Sequence, residues 1–256
     1  MQWLTRQRIP VQRMRIDNPR GEAVIAVGFA LSYVVAAAVI GWCIREHPLP
    51  LLGARKFTDD VWYIVVFKLT LLGAVPIAWL RARGYGIADF LPEWRPTFRT
   101  CAVAAGAFAL AFSLNLSHLG AIRQAAASMS FDESVVRLLV GMVVPLLAAA
   151  LPEELVYRGV LQTRLEATLG RVPAILLAAT LFVAWHLPTR LLLASGVEGV
   201  AGDAVSVVLG TGVPVFVVGL VFGVLWDRHR SLVPLVAAHW GIDLLPSLSS
   251  FFGISH

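Results

Sequence analysis

Residues 135–157, VVRLLVGMVVPLLAAALPEELVY, form an apolar run that ends in two adjacent glutamates. About 20 consecutive apolar residues are enough to cross a bilayer as a helix. The remainder of the chain has the same character. Of its 256 residues, 58% are hydrophobic and only 14% charged, and the mean hydropathy is +0.76. Soluble globular proteins carry about 45–50% apolar and about 25% charged residues. The composition therefore excludes an ordinary soluble enzyme, a disordered protein and a nucleic-acid module. The net charge of +5 comes from scattered Arg, and no run of five like charges offers a nucleic-acid tract. The expected fold is all-α, a polytopic transmembrane helical bundle.

Working outward, similar runs occur at 23–44, 61–80, 100–118, 135–157, 172–192, 204–226 and 231–252, which gives about seven spans, with six to eight as the range. Segments rich in Pro, Gly and charge separate them. The segment 188–203 reads as a loop or a short re-entrant piece. Residues 1–22 form a basic segment with no cleavable signal, and 23–256 form one transmembrane domain. With the N-terminus inside, the cytoplasmic segments hold fourteen basic residues and the opposite side six. The positive-inside rule favours that orientation. The reading is a multi-pass cell-membrane protein with a cytoplasmic N-terminus, in contact with the lipid bilayer; its oligomeric state is left open. The dominance of Arg over Lys points to a GC-rich bacterial genome.

An ionisable residue at mid-bilayer costs roughly 2.5–3.5 kcal/mol on insertion scales. Lys68, one-third into the second span, is expected to snorkel. Asn115 and His118 are expected to make interhelical hydrogen bonds. Trp3, Trp42, Trp62, Trp79, Trp94 and Trp226 read as an interfacial belt. Cys43 and Cys101 read as inert buried thiols. The second half is different. AAALPEELVYRGVLQ (148–162), LFVAWHLP (181–188) and VAAHWGIDLLP (236–246) place Glu153, Glu154, Arg158, His186, His239 and Asp243 in hydrophobic helices. Together they would cost on the order of 15 kcal/mol facing lipid, so they must face one another or water.

Helical spacing divides them. Glu154 and Arg158 lie four apart with the acid first, the favoured order for an intrahelical ion pair. Glu153 points about 100° away and is left for chemistry. Pro152 is expected to kink the helix. His239 and Asp243 share a face, as do Phe182 and His186. Two His with spare carboxylates could bind a divalent metal such as Zn²⁺; a Glu base with His donors could instead activate water unaided. A purely structural ion-pair network, or a proton-coupled transporter, fits the same residues.

In order along the chain, Glu153-Glu154-Leu-Val-Tyr-Arg158, Phe182-Val-Ala-Trp-His186 and His239-Trp-Gly-Ile-Asp243 resemble the CPBP family. This is the Abi family of CAAX prenyl protease 2-like and bacteriocin-processing intramembrane proteases. The similarity covers about residues 135–250. It implies an intramembrane endopeptidase, often described as a metalloprotease, acting on a membrane-associated protein or peptide. In that resemblance Glu153 activates water, while His186, His239 and Asp243 bind metal or stabilise the oxyanion, and Glu154 and Arg158 shape the site. Asp243 stands where the eukaryotic prenyl proteases typically carry Asn. An ionised Asp only accepts hydrogen bonds, so Asp243 binds metal, stays protonated, or orients His239. The alternative reading is a non-catalytic relative, such as a bacteriocin self-immunity factor or scaffold. No His-Glu-x-x-His zinc motif is present.

Overall fold

A computed structural model describes residues 16–46, 63–86, 98–192 and 202–254. Its elements are α1 (Pro19–Glu46), α2 (63–82), α3 (Phe98–Ser113), α4 (His118–Ala127), α5 (Phe131–Leu169), α6 (Arg171–Leu192), α7 (Ala204–His229) and α8 (Leu232–Phe251). Among the described residues there is no strand. Among the described residues, five helices are long and apolar enough to cross a membrane: α1 (over Pro19–Cys43), α5, α6, α7 and α8. The number rises to six if α3 and α4 count as one broken span, since they meet at 81°. Six lies within the expected range of six to eight, one short of its central value of seven. The third expected run turns sharply near Asn115. The second is helical over 63–82 but lies outside the five or six.

The outer faces are apolar, with Leu31 and Val35 of α1, Leu139 of α5 and Val217 and Val221 of α7 all exposed. An inverted surface of this kind suits lipid, where side-chain hydrophobicity costs nothing. Cys43 and Cys101 also lie exposed rather than buried. Trp226 departs from the belt as well: it is buried and donates its indole N–H to Thr163 Oγ1 at 3.0 Å. Trp42 is exposed as expected. Trp3, Trp62 and Trp94 lie outside the described residues, as does most of 188–203 beyond the end of α6.

α5 is the central element, touching α1, α2, α6, α7 and α8. Pro145 and Pro152 each remove a backbone donor and crowd the preceding turn. Instead of breaking there, the helix widens into π turns at Pro145–Ala150 and Leu155–Gln162, which flank the short α-helical turn Leu151–Glu154. Such wide turns accommodate misfit backbone and often accompany functional sites. The two glutamates sit between them.

Small residues set the closest helix contacts, as expected where apolar lipid provides no drive to associate. On α7, a Cβ at Gly219 would lie 3.1 Å from Ala179 Cβ and one at Gly223 2.9 Å from Ile175 Cγ2, both on α6. On α8, a Cβ at Gly241 would lie 2.6 Å from the Phe108 carbonyl oxygen of α3. Asn115 and His118 make the interhelical bonds expected of them: Asn115 Nδ2 donates to the Ile242 carbonyl (2.9 Å), and His118 Nδ1 pairs with Ser249 Oγ (2.8 Å).

At the end of the bundle where α5, α7 and α1 expose polar residues, charges pair across helices. Glu22 of α1 accepts from Arg164 Nε of α5 at 2.9 Å, and Arg164 lies over the Trp79 ring at 5.0 Å. Asp227 pairs with Arg171 at 2.8 Å, and Arg230 bridges Glu166 and Asp227. Burial pushes the Tyr85 phenol up, and the neighbouring Glu22 adds to the effect.

Gly241→Ala is expected to destabilise the folded protein by about 1–3 kcal/mol through overpacking, although Ala is normally the better helix former by up to about 1 kcal/mol. Gly106→Ala, where a Cβ meets nothing within 4 Å, is the matched control and should be neutral or stabilising. Melting curves of the two variants in one detergent check the sign.

Candidate active site

The six polar residues singled out from the sequence converge. Glu153 and Glu154 are fully buried at 0% exposure, and Arg158, His186, His239 and Asp243 are also buried. α5 supplies the acids and Arg158, α6 supplies His186, and α8 supplies His239 and Asp243. Each spacing acts as expected. Arg158 Nη1 donates to Glu154 Oε1 at 2.9 Å, one helical turn away. His239 Nε2 lies 3.3 Å from Asp243 Oδ2, also one turn away.

The imidazoles are oriented by their second nitrogens. His186 Nδ1 lies 2.7 Å from the Phe182 carbonyl oxygen. A carbonyl only accepts, so Nδ1 carries the proton and Nε2 turns inward. His239 Nδ1 donates to Glu154 Oε1 at 2.7 Å. Both Nε2 atoms then lie 3.8 Å from Glu153 Oε2, and this oxygen accepts no hydrogen bond from a protein group. One carboxylate oxygen therefore faces two imidazole edges across a gap that no direct hydrogen bond closes.

Two features were missed in the sequence. Lys68 of α2 does not snorkel: it is 4% exposed, and its Nζ meets Glu153 Oε1 at 2.6 Å. Glu153 is thus ion-paired rather than left over. Glu154 is more than a structural partner of Arg158, because the same oxygen also receives His239. Both contacts join residues 85 positions apart, so no local spacing could reveal them. The one available signal was the lone Lys inside an otherwise apolar run.

Aromatic rings wall the cluster. Arg158 lies over Phe182 at 4.3 Å and Phe222 at 5.3 Å. Phe182 meets the edges of Tyr157 and His186 at 5.0 and 4.7 Å. Such faces favour cations and keep water away. A cavity of about 230 Å³ opens beside the cluster. His186, His239 and Asp243 contribute to its wall together with Asn115 and Thr211, and Pro214, Val218 and Pro246 form apolar parts. Glu153 does not line the cavity; it lies behind the two imidazoles.

The expected metal ligands His186, His239 and Asp243 adjoin one another, but among the described residues no three His, Cys, Asp or Glu side chains are disposed to hold a metal ion. Each nitrogen of His239 faces a carboxylate, Nδ1 that of Glu154 at 2.7 Å and Nε2 that of Asp243 at 3.3 Å.

Residues 135–245, which carry all six of these side chains, match the family described as type II CAAX prenyl endopeptidase Rce1-like. No curated protein and no solved structure matches the chain. The matched segment begins in α5 and ends within α8, so it encloses the whole cluster except Lys68. It is this segment, and not the whole chain, that is similar to the Rce1-like, CAAX-type membrane proteases.

Proposed function

We propose that the protein is an intramembrane endopeptidase in which Glu153 activates water to cleave a membrane-associated protein or peptide. The observation that carries this reading is the unshared Oε2 of Glu153, facing His186 and His239 at 3.8 Å each. A water entering from the cavity between the two imidazoles comes within reach of that oxygen. Glu153 takes its proton as the water attacks the peptide carbonyl, and later gives the proton to the leaving amine. The carbonyl oxygen gains negative charge and needs a donor in a water-poor site, where such help is worth most. His239 fits that role when Nε2 is protonated, with Glu154 holding Nδ1. Asp243 Oδ2 lies 3.3 Å from the same Nε2 and contributes to the cavity wall beside it. The route uses side chains only and passes no step through a metal. The apolar cavity walls suit a substrate that arrives from the membrane.

Glu153→Gln should abolish cleavage while the protein still inserts and folds. Comparison of membrane proteomes from cells with wild type and Glu153→Gln checks this: peptides with new termini should be lost in the variant. Identical sets of termini would sink the protease reading and favour a non-catalytic immunity factor or scaffold. Glu154→Leu should cost about 3–5 kcal/mol by stranding buried Arg158 and should also lose activity by freeing His239. A melting curve showing wild-type stability would contradict it.

Cleavage by this side-chain route is expected to survive chelation. Stoichiometric metal in the purified protein, together with activity that returns only when the metal is restored, would overturn that expectation. For topology, the paired charges near Arg83, Arg164 and Arg230 are proposed to mark the cytoplasmic end. Reporter fusions after Arg83 and Arg230 should read as cytoplasmic, and one after Gly253 as external.

A further inference from the structure

We propose that Lys68 is a positioning residue for Glu153: its ammonium holds Oε1 and the negative charge, and so presents Oε2 to His186 and His239. The inference rests on the reading of Glu153 as the base. Lys68 lies on α2, outside the matched residues 135–245, and none of the three motifs includes it.

The geometry around the ammonium carries the inference. Nζ is 2.6 Å from Glu153 Oε1, and the two side chains are 5% and 0% exposed. The same ammonium lies over the Trp185 ring at 5.5 Å, and Trp185 stacks on Phe67 at 5.7 Å. Trp185 directly precedes His186, so one turn of α6 carries both the platform for the lysine and an imidazole facing the acid. Two other buried cations pair elsewhere: Arg158 bonds Glu154 and Arg164 bonds Glu22. Three carboxylates meet here, those of Glu153, Glu154 and Asp243, together with two permanent cations, Lys68 and Arg158, and the imidazoles of His186 and His239. A buried carboxylate without a counter-charge takes up a proton, and a protonated carboxyl is no base toward water. Lys68 therefore supplies both the aim and the charge that the chemistry requires.

The test needs no known substrate. Dicyclohexylcarbodiimide, an apolar carbodiimide, modifies protonated carboxyls, and peptide mass spectrometry locates the adduct. Full-length wild type in membranes at pH 7 should be weakly modified at Glu153. Lys68→Met, which removes the counter-charge, should be modified severalfold more. Lys68→Gln, which keeps polarity and fits the space if Met folds poorly, should behave like Lys68→Met. Lys68→Arg should stay near wild type. The termini that depend on Glu153 should disappear in Lys68→Met and Lys68→Gln, and return at least in part in Lys68→Arg. Wild-type labelling in folded Lys68→Met or Lys68→Gln would overturn the proposal, as would equal labelling of Lys68→Arg and Lys68→Met, or persistence of the termini in the uncharged variants. If Glu153→Gln itself still yields the termini, the base assignment is what fails. The labelling series then still decides whether Lys68 holds the carboxylate.

Discussion

A charge within hydrocarbon must bring its counter-charge with it, and the inner architecture of this protein follows from that constraint. Leaving a charged side chain unpaired at mid-bilayer costs several kcal/mol. Helices α2, α5, α6 and α8 are therefore bound to one another by the groups they carry, not by the exclusion of water. Lys68 ties α2 to Glu153, while His239 ties α8 to Glu154. Because a partner lost from a buried pair strands the other, the network behaves as a unit. No single helix can leave without exposing a charge on its neighbour.

The backbone is adapted to that network. Two adjacent acids on a regular helix point about 100° apart, toward different neighbours. The π turns on either side of Leu151–Glu154 absorb the disturbance from Pro145 and Pro152 without ending the span. Close packing at Gly219 and Gly223 holds α7 to α6, and Gly241 holds α8 to α3. The helices bearing His186 and His239 are thus held by contacts with little room to adjust. The carboxylate–imidazole gap is as rigid as the small-residue contacts that frame it.

What could be read in the sequence was whatever local periodicity encodes. The pairs Glu154–Arg158 and His239–Asp243 follow from a spacing of four, and both are present. The argument that polar residues on three apolar helices must face one another matches their convergence in one buried cluster. What could not be read were partners joined only by folding. Lys68 one-third into a span looks the same in sequence whether it snorkels or reaches inward, and a position 85 residues away settles which. The span count suffered for a related reason. A hydropathy run gives length but not direction, so the run through Asn115 looked like one span although its helices meet at 81°.

The different roles of the two glutamates are a matter of surroundings, not of residue type. Glu154 shares one oxygen between Arg158 and His239, two donors that fix it as an orienting group. Glu153 has one oxygen on a single lysine and the other toward imidazole edges too distant to bond it directly. A guanidinium can span both oxygens of a carboxylate, whereas an ammonium acts as a point charge; here Arg158 bonds only Oε1 of Glu154, whose Oε2 accepts no hydrogen bond. Lys68 offsets the charge of Glu153 from one side, so the second oxygen is left facing the two imidazoles. The guanidinium of Arg158 sits instead on the acid that also holds His239, so the two adjacent carboxylates differ in which helices they tie together.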